Sequence, residues 1–244
     1  MRNVVVTGGN RGLGLGIARK LNAAGYRVIA VARKQTDQLT AAIEEAGRSN
    51  PDSLRFVPFD LAQIEGIPGM VRSLRKEFGP IYGLVNNAAI SFDNVLALMH
   101  NSQIEQLVRV NTLSPIVLTK YVVRSMMADG GGRIVNVSSI IGFTGYSSLS
   151  VYGATKASMM GFTRSLAREV GSKGVNVNAV APGFLDTEMT QALDDEQRQK
   201  IARRSALRRL PAIDDVANAV EFLMGDKAQS ITGTVLVVDA GSTA

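Results

Sequence analysis

The 244-residue sequence contains no cysteine and no tryptophan, and it has a single histidine, His100. The absence of cysteine excludes disulfide bonds, thiolate catalysis and cysteine-ligated metals, and one histidine provides no histidine pair for zinc. We therefore predict no metal site. Any catalysis has to use hydroxyl, amine or carboxylate groups, or a bound cofactor.

Long apolar runs are also missing from the sequence. Glycine, proline or charged residues interrupt every apolar run well before the roughly 18 residues that a membrane helix requires. The valine run at 4–6 is too short to form the core of a signal peptide. With 45% hydrophobic residues, the composition indicates a folded domain with a large core. We expect a cytoplasmic protein that does not associate with a membrane.

Positive charge exceeds negative charge, with 27 Lys and Arg against 21 Asp and Glu and a formal net charge of +6. Six of the basic residues lie between Arg198 and Arg209. This basic segment is interpreted either as a solvated helix face or as a surface that attracts an anionic substrate or partner. It contains no interleaved aromatic residues, so nucleic acid binding is not expected.

Strand-like apolar runs alternate with helical patterns along the chain, which is typical of parallel β-α-β units. We predict an α/β fold, a single doubly wound (Rossmann) domain over residues 1–244, with about seven parallel strands and helices on both faces. The predicted strands are 3–6, 27–32, 54–59, 83–85, 133–137, 175–180 and 234–238. Leu13, Ile17 and Leu21 mark the first helix, and further helices are predicted at 37–46, 67–78, 103–127, 152–170 and 213–223.

A glycine-rich loop follows the first strand and leads into the first helix. Gly8 permits a sharp turn, Gly12 allows a pyrophosphate to approach the backbone, and Gly14 allows the helix and strand to pack closely. Main-chain N–H groups at the start of the helix then bind the anion. The loop predicts a dinucleotide site formed by Thr7, Gly8, Asn10, Arg11, Gly12, Leu13 and Gly14.

The three-residue gap between Gly8 and Gly12 departs from the common G-x-G-x-x-G pattern and resembles the short-chain dehydrogenase/reductase family. Two further elements carry this resemblance. Asp60-Leu61 resembles the family's adenine-contacting pair, and the sequence 86–89 resembles its Asn-Asn-Ala-Gly element, with Ala89 in place of glycine. The resemblance implies cofactor contacts at Asp60, Leu61, Asn87 and Ala88 and covers essentially the whole chain.

The end of the second predicted strand bears on the choice of cofactor. An NAD enzyme usually has an acidic residue there that binds the ribose 2′-hydroxyl, whereas this chain has Ala32-Arg33-Lys34. Arg11 and Arg33 could together bind a 2′-phosphate through their guanidinium groups. We therefore expect NADPH as the cofactor; the alternative is that Arg33 is merely a solvated residue.

Tyr152 and Lys156 are four residues apart, so both side chains project from one face of the predicted helix. A free tyrosine titrates near pH 10, and we expect Lys156 and an oxidised nicotinamide to lower the pKa of Tyr152. The family resemblance implies that Tyr152 protonates a substrate carbonyl and that Lys156 holds the nicotinamide ribose. Both residues are thus predicted to be catalytic and to contact the cofactor.

Other positions match the family's site residues. The resemblance implies that Ser139 hydrogen bonds to the substrate carbonyl, with the adjacent Ser138 as an alternative. Asn111 matches a helix-bending asparagine that anchors a proton-relay water, and asparagine is otherwise unfavourable within a helix. The segment containing Pro182, Gly183 and Thr187 resembles the family's loop around the nicotinamide carboxamide.

Within the family, the sequences 84–88, 165–170 and 182–184 most resemble the 3-oxoacyl-acyl-carrier-protein reductases. This implies reduction of a 3-oxoacyl thioester, linked to acyl carrier protein or CoA, beneath a substrate-covering segment at about 186–210. Asp129 stands where those enzymes usually have basic carrier-docking residues, while Arg124 and Lys173 remain as possible contacts.

Two other functions are kept open: an NADPH-dependent reductase of small ketones in secondary metabolism, and a non-catalytic NADP-binding sensor. The sensor would be expected to lack one of Ser139, Tyr152 and Lys156, and all three are present. The helices at 103–127 and 152–170 carry more apolar and small residues than one buried stripe requires. The corresponding family helices pair across a two-fold axis, so we expect a homotetramer, with a dimer as the second possibility.

Overall fold

A computed structural model of the chain describes residues 1–185 and 195–244. In this part of the chain, seven parallel strands form one sheet in the order β3-β2-β1-β4-β5-β6-β7. The strands are β1 (Asn3–Thr7), β2 (Arg27–Ala32), β3 (Leu54–Pro58), β4 (Ile81–Asn86), β5 (Gly132–Val137), β6 (Val175–Pro182) and β7 (Val235–Val238). The predicted doubly wound parallel sheet is confirmed.

Helices cover both faces of the sheet. They are α1 (Gly12–Ala23), α2 (Asp37–Ser49), α3 (Ile67–Phe78), α4 (Asn101–Val108), α5 (Ser114–Ala128), α6 (Ser150–Val170), α7 (Asp195–Arg204) and α8 (Ile213–Met224). Apolar residues of α1, α2 and α8 pack on one face of the sheet, and those of α3, α5 and α6 pack on the other. Within the described ranges, no helix is both long and apolar enough to span a membrane.

The central strand β1 shows why the strands are continuous apolar runs in the sequence. Val4, Val5 and Val6 are all fully buried. Because successive side chains of a strand point to opposite faces, Val4 and Val6 join one core and Val5 joins the other. A strand with helices on both faces therefore has no solvent-facing side that would favour alternating polar residues.

The region predicted as one helix at 103–127 is helical from Asn101 to Ala128, but a π-helical turn at Arg109–Leu113 divides it into α4 and α5. Two residues account for the break. Pro115 has no N–H, so the carbonyl of Asn111 four residues earlier has no α-helical donor. The side chain of Asn111 is bound to the chain beyond β4 and to α6. Such a turn places side chains that a regular helix would direct elsewhere.

The basic segment 198–209 is divided between the end of α7 and the loop that follows it. This loop is anchored to the end of the chain, since the N–H groups of Ala206 and Leu207 donate to the carbonyls of Gly241 (3.1 Å) and Ala240 (3.0 Å). The hydroxyl of Ser205, which is buried, accepts from the N–H of Arg209 (3.2 Å). The described part of the segment is therefore held close to the end of β7.

The strand order locates the expected ligand cleft. From β1 the chain proceeds to β2 and β3 on one side, and it continues with β4 on the other side of β1. The loops that follow β1 and β4 diverge at this switch point, which is where open α/β sheets bind ligands. The residues predicted to be functional follow the carboxyl ends of these strands and of β5 and β6.

Candidate active site

The glycine-rich loop between β1 and α1 has the geometry that its sequence predicts. Gly8 (φ +64°) turns the chain away from β1. A Cβ at Gly14 would lie 2.1 Å from the carbonyl oxygen of Gly8, so close packing here requires glycine. At Gly12 (φ +52°), a Cβ would meet no other described part of the chain within 4 Å. This open space at the start of α1 fits a pyrophosphate bound by the helix N-terminus.

Thr7 and Asn87 hold the glycine-rich loop against β4. The buried Thr7 hydroxyl accepts hydrogen bonds from the N–H groups of Asn87 (2.9 Å) and Ala88 (3.0 Å) and donates to the carbonyl of Val85 (3.2 Å). The Asn87 amide donates to the carbonyl of Thr7 (2.9 Å). These bonds join the carboxyl ends of β1 and β4, and cofactor contacts at Thr7, Asn87 and Ala88 stay predictions.

The loop after β2, which carries Arg33, is fastened to the glycine-rich loop. The Asn10 amide donates to the carbonyl of Lys34 (3.0 Å), and the hydroxyl of Thr36 donates to the carbonyl of Asn10. Arg33 is exposed on this loop, and Arg11 is exposed at the residue that precedes α1. Asn10 thus positions both loops on which the predicted phosphate-binding arginines lie.

Asp60 and Leu61 follow β3 at the same edge of the sheet. The Asp60 carboxylate accepts a hydrogen bond from the N–H of Ala62 (3.0 Å), which holds the turn. The side chain of Leu61 is buried in the core between the sheet and α3. These are contacts within the protein, and the contacts of Asp60 and Leu61 with an adenine ring stay predictions.

The two serines that follow β5 have different roles. The hydroxyl of Ser138 is buried and donates to the main-chain carbonyl of Lys156 (2.8 Å), which attaches α6 to β5. Ser139 is half-buried, and its hydroxyl lies near enough to the phenol of Tyr152 to lower the pKa of that group. It also accepts a hydrogen bond from the N–H of Ile141 (3.2 Å). The geometry favours Ser139 over Ser138 as the serine that contacts a substrate.

Tyr152 and Lys156 both project from α6, as their spacing predicts, although the helix begins at Ser150 and not at Tyr152. Lys156 is 4% exposed, and its Nζ donates to the carbonyl of Val137 at the end of β5 (3.0 Å). The Lys156 Nζ lies 5.6 Å from the centroid of the Tyr152 ring. The ammonium is therefore beside the phenol while being held by the strand.

The direction of the pKa shift of Tyr152 is opposite to our expectation. Burial raises the pKa of Tyr152 to about 12, while the nearby hydroxyl of Ser139 lowers it and the charge of Asp93 raises it. Burial also lowers the pKa of Lys156 to about 8. Desolvation of the phenolate outweighs its stabilisation because both groups are enclosed. At pH 7 the tyrosine is therefore a phenol and most of the lysine is an ammonium ion.

Asn111 uses its whole side-chain amide to position neighbouring elements. Its Oδ1 accepts from the N–H of Ile90 (2.9 Å), and its Nδ2 donates to the carbonyl of Ile90 (2.8 Å) and the hydroxyl of Thr155 (3.2 Å). It thereby connects the loop after β4 to α6, close to Tyr152. Its predicted support of a proton relay stays a prediction, and the amide acts here as a positioning group.

Sequence reasoning missed Thr155, which is buried between the two catalytic candidates on α6. Its hydroxyl donates to the main-chain carbonyl of Tyr152 (2.7 Å) and accepts from Asn111. A threonine between Tyr152 and Lys156, in the same turn of the helix, is a weak sequence signal for a residue that positions them through hydrogen bonds. Pairing with Asn111 follows only from the tertiary structure.

Pro182 ends β6 and Gly183 follows it, at the same edge of the sheet as the other candidate residues. The N–H of Gly183 donates to the carbonyl of Val238 (3.0 Å), and a Cβ there would lie 2.9 Å from the Cβ of Asp239. This close approach explains the glycine. Thr187 lies outside the described residues, so its predicted contact with the cofactor has no structural description.

Comparison with known proteins identifies the family of the chain. Residues 2–198 match the family described as short chain dehydrogenase. The 3-oxoacyl-acyl-carrier-protein reductase FabG of Escherichia coli is 40% identical over 237 residues, which cover 97% of this chain and 95% of that protein. The chain belongs to the short-chain dehydrogenase family. It is therefore an oxidoreductase that uses a nicotinamide cofactor, as predicted.

Other relatives extend this similarity. FabG of Staphylococcus aureus is 35% identical over 240 residues, which cover 98% of this chain and 97% of that protein. A gluconate 5-dehydrogenase from Burkholderia cenocepacia, solved with NADP and tartrate, has a TM-score of 0.92 and 27% identity and covers 99% of this chain and 95% of its own. ElxO, solved as a tyrosine-to-phenylalanine variant with NADPH bound, has a TM-score of 0.90 and 30% identity over 99% and 98% of the two chains.

Replacing each serine separately should separate catalysis from stability. Ser138→Ala leaves the buried carbonyl of Lys156 without its donor, so the free energy of unfolding should fall by about 1–3 kcal/mol. Ser139→Ala should lower turnover by at least about tenfold with little loss of stability, because it removes a donor to the reacting oxygen. Urea unfolding and steady-state kinetics measure the two effects. Equal loss of turnover in both variants would contradict the assignment.

Tyr152→Phe retains the ring and removes the hydroxyl proton. Turnover should fall by at least about a hundredfold while the dissociation constant of the cofactor changes little. Stopped-flow kinetics and calorimetric titration of the cofactor measure these quantities. Tyr121→Phe on α5 is the control and should behave like the wild type; near-normal turnover of Tyr152→Phe would exclude Tyr152 as the acid.

Proposed function

We propose that the protein reduces a carbonyl group to a secondary alcohol with NADPH, and that its substrate is a 3-oxoacyl thioester linked to acyl carrier protein or CoA. The Ser139 hydroxyl near the Tyr152 phenol, with the Lys156 ammonium 5.6 Å from the centroid of the Tyr152 ring, carries the proposal for the reaction. The similarity to FabG supports the thioester substrate and fatty acid biosynthesis as its setting.

The side chains present account for the acid part of this reaction. When bound, NADPH supplies the hydride that adds to the carbonyl carbon. Ser139 donates a hydrogen bond to the carbonyl oxygen, and Tyr152 transfers its phenolic proton to that oxygen as negative charge develops there. A tyrosine whose pKa is raised to about 12 retains this proton at neutral pH. Lys156 would hold the nicotinamide ribose and provide positive charge beside the resulting phenolate.

The preference for NADPH rests on Arg11 and Arg33. Both are exposed on loops that Asn10 connects, and no carboxylate occurs between Gly25 and Lys34. A guanidinium group can form paired, charge-assisted hydrogen bonds with a phosphate. The gluconate 5-dehydrogenase and ElxO structures, which contain NADP and NADPH, agree with this choice.

Arg33→Asp tests the cofactor preference. The wild type should use NADPH at least about tenfold more efficiently than NADH, and the variant should reduce or reverse this ratio because a carboxylate repels the 2′-phosphate. The ratio of kcat/KM for the two cofactors measures the effect. Arg48→Asp, an exposed site near the end of α2, is the control for general charge. Equal use of NADPH and NADH by the wild type would refute the proposal.

The negative charge of Asp129 is a weaker argument against docking of a carrier protein than the sequence indicated, because this carboxylate is paired. Its carboxylate accepts two hydrogen bonds from the guanidinium group of Arg75 in a bidentate ion pair. Hydrogen bonding to Arg75 lowers the pKa of Asp129. The pair as a whole carries no net charge. Arg124 and Lys173 are exposed, and we propose that they contribute to docking of an acidic carrier.

The basic segment 198–209 is the other proposed contact with an anionic substrate. Arg203 and Arg204 are exposed at the end of α7, whereas Arg209 is paired with Asp215 (2.7 Å). We propose that this segment, as part of the substrate-covering region 186–210, attracts the phosphate of a phosphopantetheine-bearing thioester. Exposed charges act over about 8 Å at physiological ionic strength, so salt should weaken this attraction.

Neutralising Arg203 and Arg204 together (R203Q and R204Q) tests the thioester proposal. KM for acetoacetyl-CoA should rise about threefold to tenfold at low salt, while KM for a neutral acetoacetyl ester should change little. Steady-state kinetics at two salt concentrations measure both effects. The matched control replaces Arg48 and Arg72, both exposed, with glutamine. If KM changed equally for both substrates, the basic segment would be only a solvated helix face and the thioester proposal would lose this support.

A reductase of small free ketones is the second candidate function. The structural similarity to gluconate 5-dehydrogenase favours it. It would become the better proposal if neutral ketones were reduced as efficiently as the thioester.

We also propose a homotetramer, with a dimer as the alternative. The described surface of the π turn and its flanking helices exposes Val108 (45%), Leu113 (42%) and Met127 (38%). Apolar residues at these positions fit helix pairing across a two-fold axis, because the patch on one subunit would then pack against the same patch on the second subunit.

A further inference from the structure

Three loops meet above the carboxyl ends of β4, β5 and β6. The N–H of Asn94 donates to the carbonyl of Ser148 (3.1 Å) and joins the loop after β4 to the loop after β5. The loop after β5 passes directly into α6, where the N–H of Gly153 donates to the carbonyl of Leu149 (2.7 Å). Ser139 begins this loop and Tyr152 lies just beyond its end, so the loop encloses one side of the reaction site.

Two aromatic rings connect this loop to the segment after β6. The rings of Tyr146 and Phe184 have centroids 5.3 Å apart and are tilted by 51°. Tyr146 lies between Ser139 and Tyr152 in the chain, and Phe184 follows Gly183 at the end of β6. The contact therefore joins the loop after β5 to the segment after β6.

Packing of the core does not explain this ring pair. Tyr146 is 47% exposed and Phe184 is half-buried, and neither belongs to the two hydrophobic cores. Tilted aromatic pairs present both an edge and a face, and a third ring can pack favourably on either. An exposed apolar surface on the loop that leads from Ser139 to Tyr152 is a suitable place for the apolar part of a substrate.

We propose that the Tyr146–Phe184 pair forms the apolar wall of the substrate cleft and selects substrates with a flat apolar group, such as a phenyl ring, next to the carbonyl. This inference rests on the proposed reductase function, because Tyr146 lies on the loop that leads from Ser139 to Tyr152. A methyl group in the same position covers much less of the two rings. The wall thus discriminates between substrates by the apolar area that they bury.

Phe143 provides a matched control on the same loop. It is 49% exposed, close to the exposure of Tyr146, and within the described part of the chain its ring has no aromatic contact. Removing the ring of Phe143 changes the exposed aromatic surface by a similar amount without affecting the proposed wall.

The test compares the N-acetylcysteamine thioesters of 3-oxo-3-phenylpropanoate and 3-oxobutanoate with NADPH. Tyr146→Ala should lower the ratio of kcat/KM for the phenyl to the methyl substrate about tenfold, and Tyr146→Phe should preserve the ratio. Phe143→Ala should leave the ratio within about twofold of the wild type. Phe184→Leu, which removes the other ring, should resemble Tyr146→Ala and replaces it if that variant does not fold.

Calorimetric titration of the corresponding alcohol products in the presence of NADPH gives a second readout that needs no turnover, because the alcohol and NADPH are both reduced and cannot react with each other. Tyr146→Ala should weaken binding of the phenyl product about tenfold and change binding of the methyl product less than about twofold. If the wild type reduces neither thioester, the proposed function fails, and the two dissociation constants still test the wall. An unchanged product-binding ratio in Tyr146→Ala and Phe184→Leu, or an equal change in Phe143→Ala, overturns the inference.

Discussion

The geometry of the reaction site depends on two reciprocal hydrogen bonds between α6 and the end of β5. The ammonium of Lys156 donates to the carbonyl of Val137 (3.0 Å), and the hydroxyl of Ser138 donates to the carbonyl of Lys156 (2.8 Å). Both bonds are buried, where an unpaired polar group would be costly. Because one element carries Tyr152 and the other leads into Ser139, these bonds determine how the two hydroxyls meet.

A polar network inside the protein supports this arrangement. The amide of Asn86 on β4 donates to the hydroxyl of Thr119 (2.9 Å) and to the side-chain carbonyl of Asn136 on β5 (2.8 Å). The amide of Asn136 donates in turn to the hydroxyl of Thr163 on α6 (2.8 Å). Directional bonds of this kind specify one alignment of helices and strands, which apolar packing alone would determine less strictly. The strands and helix that carry the site are thus aligned with one another.

Enclosure also sets the protonation states at the site. Burial favours the neutral form of both groups, raising the pKa of Tyr152 to about 12 and lowering that of Lys156 to about 8. A protonated tyrosine is the form that a carbonyl reduction needs, because the developing alkoxide must receive a proton. The charge of Asp93 acts in the same direction. Proximity of Tyr152 and Lys156 in sequence indicates their interaction, but the sign of the net pKa shift depends on solvent exclusion by the surrounding loops.

Local patterns in the sequence determined the succession of strands and helices along the chain and the glycine-rich loop. They also determined that Tyr152 and Lys156 share one helix face, because backbone geometry and periodicity act over a few residues. The family resemblance favoured Ser139 over Ser138, but only the tertiary structure showed that the hydroxyl of Ser138 is used by the carbonyl of Lys156 where α6 packs on β5. The tertiary structure also decided that Asn111 binds Ile90 and Thr155, that Arg75 pairs with Asp129, and that Tyr146 contacts Phe184. These partners are far apart in the chain, and their contacts arise when loops from neighbouring strands meet at one edge of the sheet.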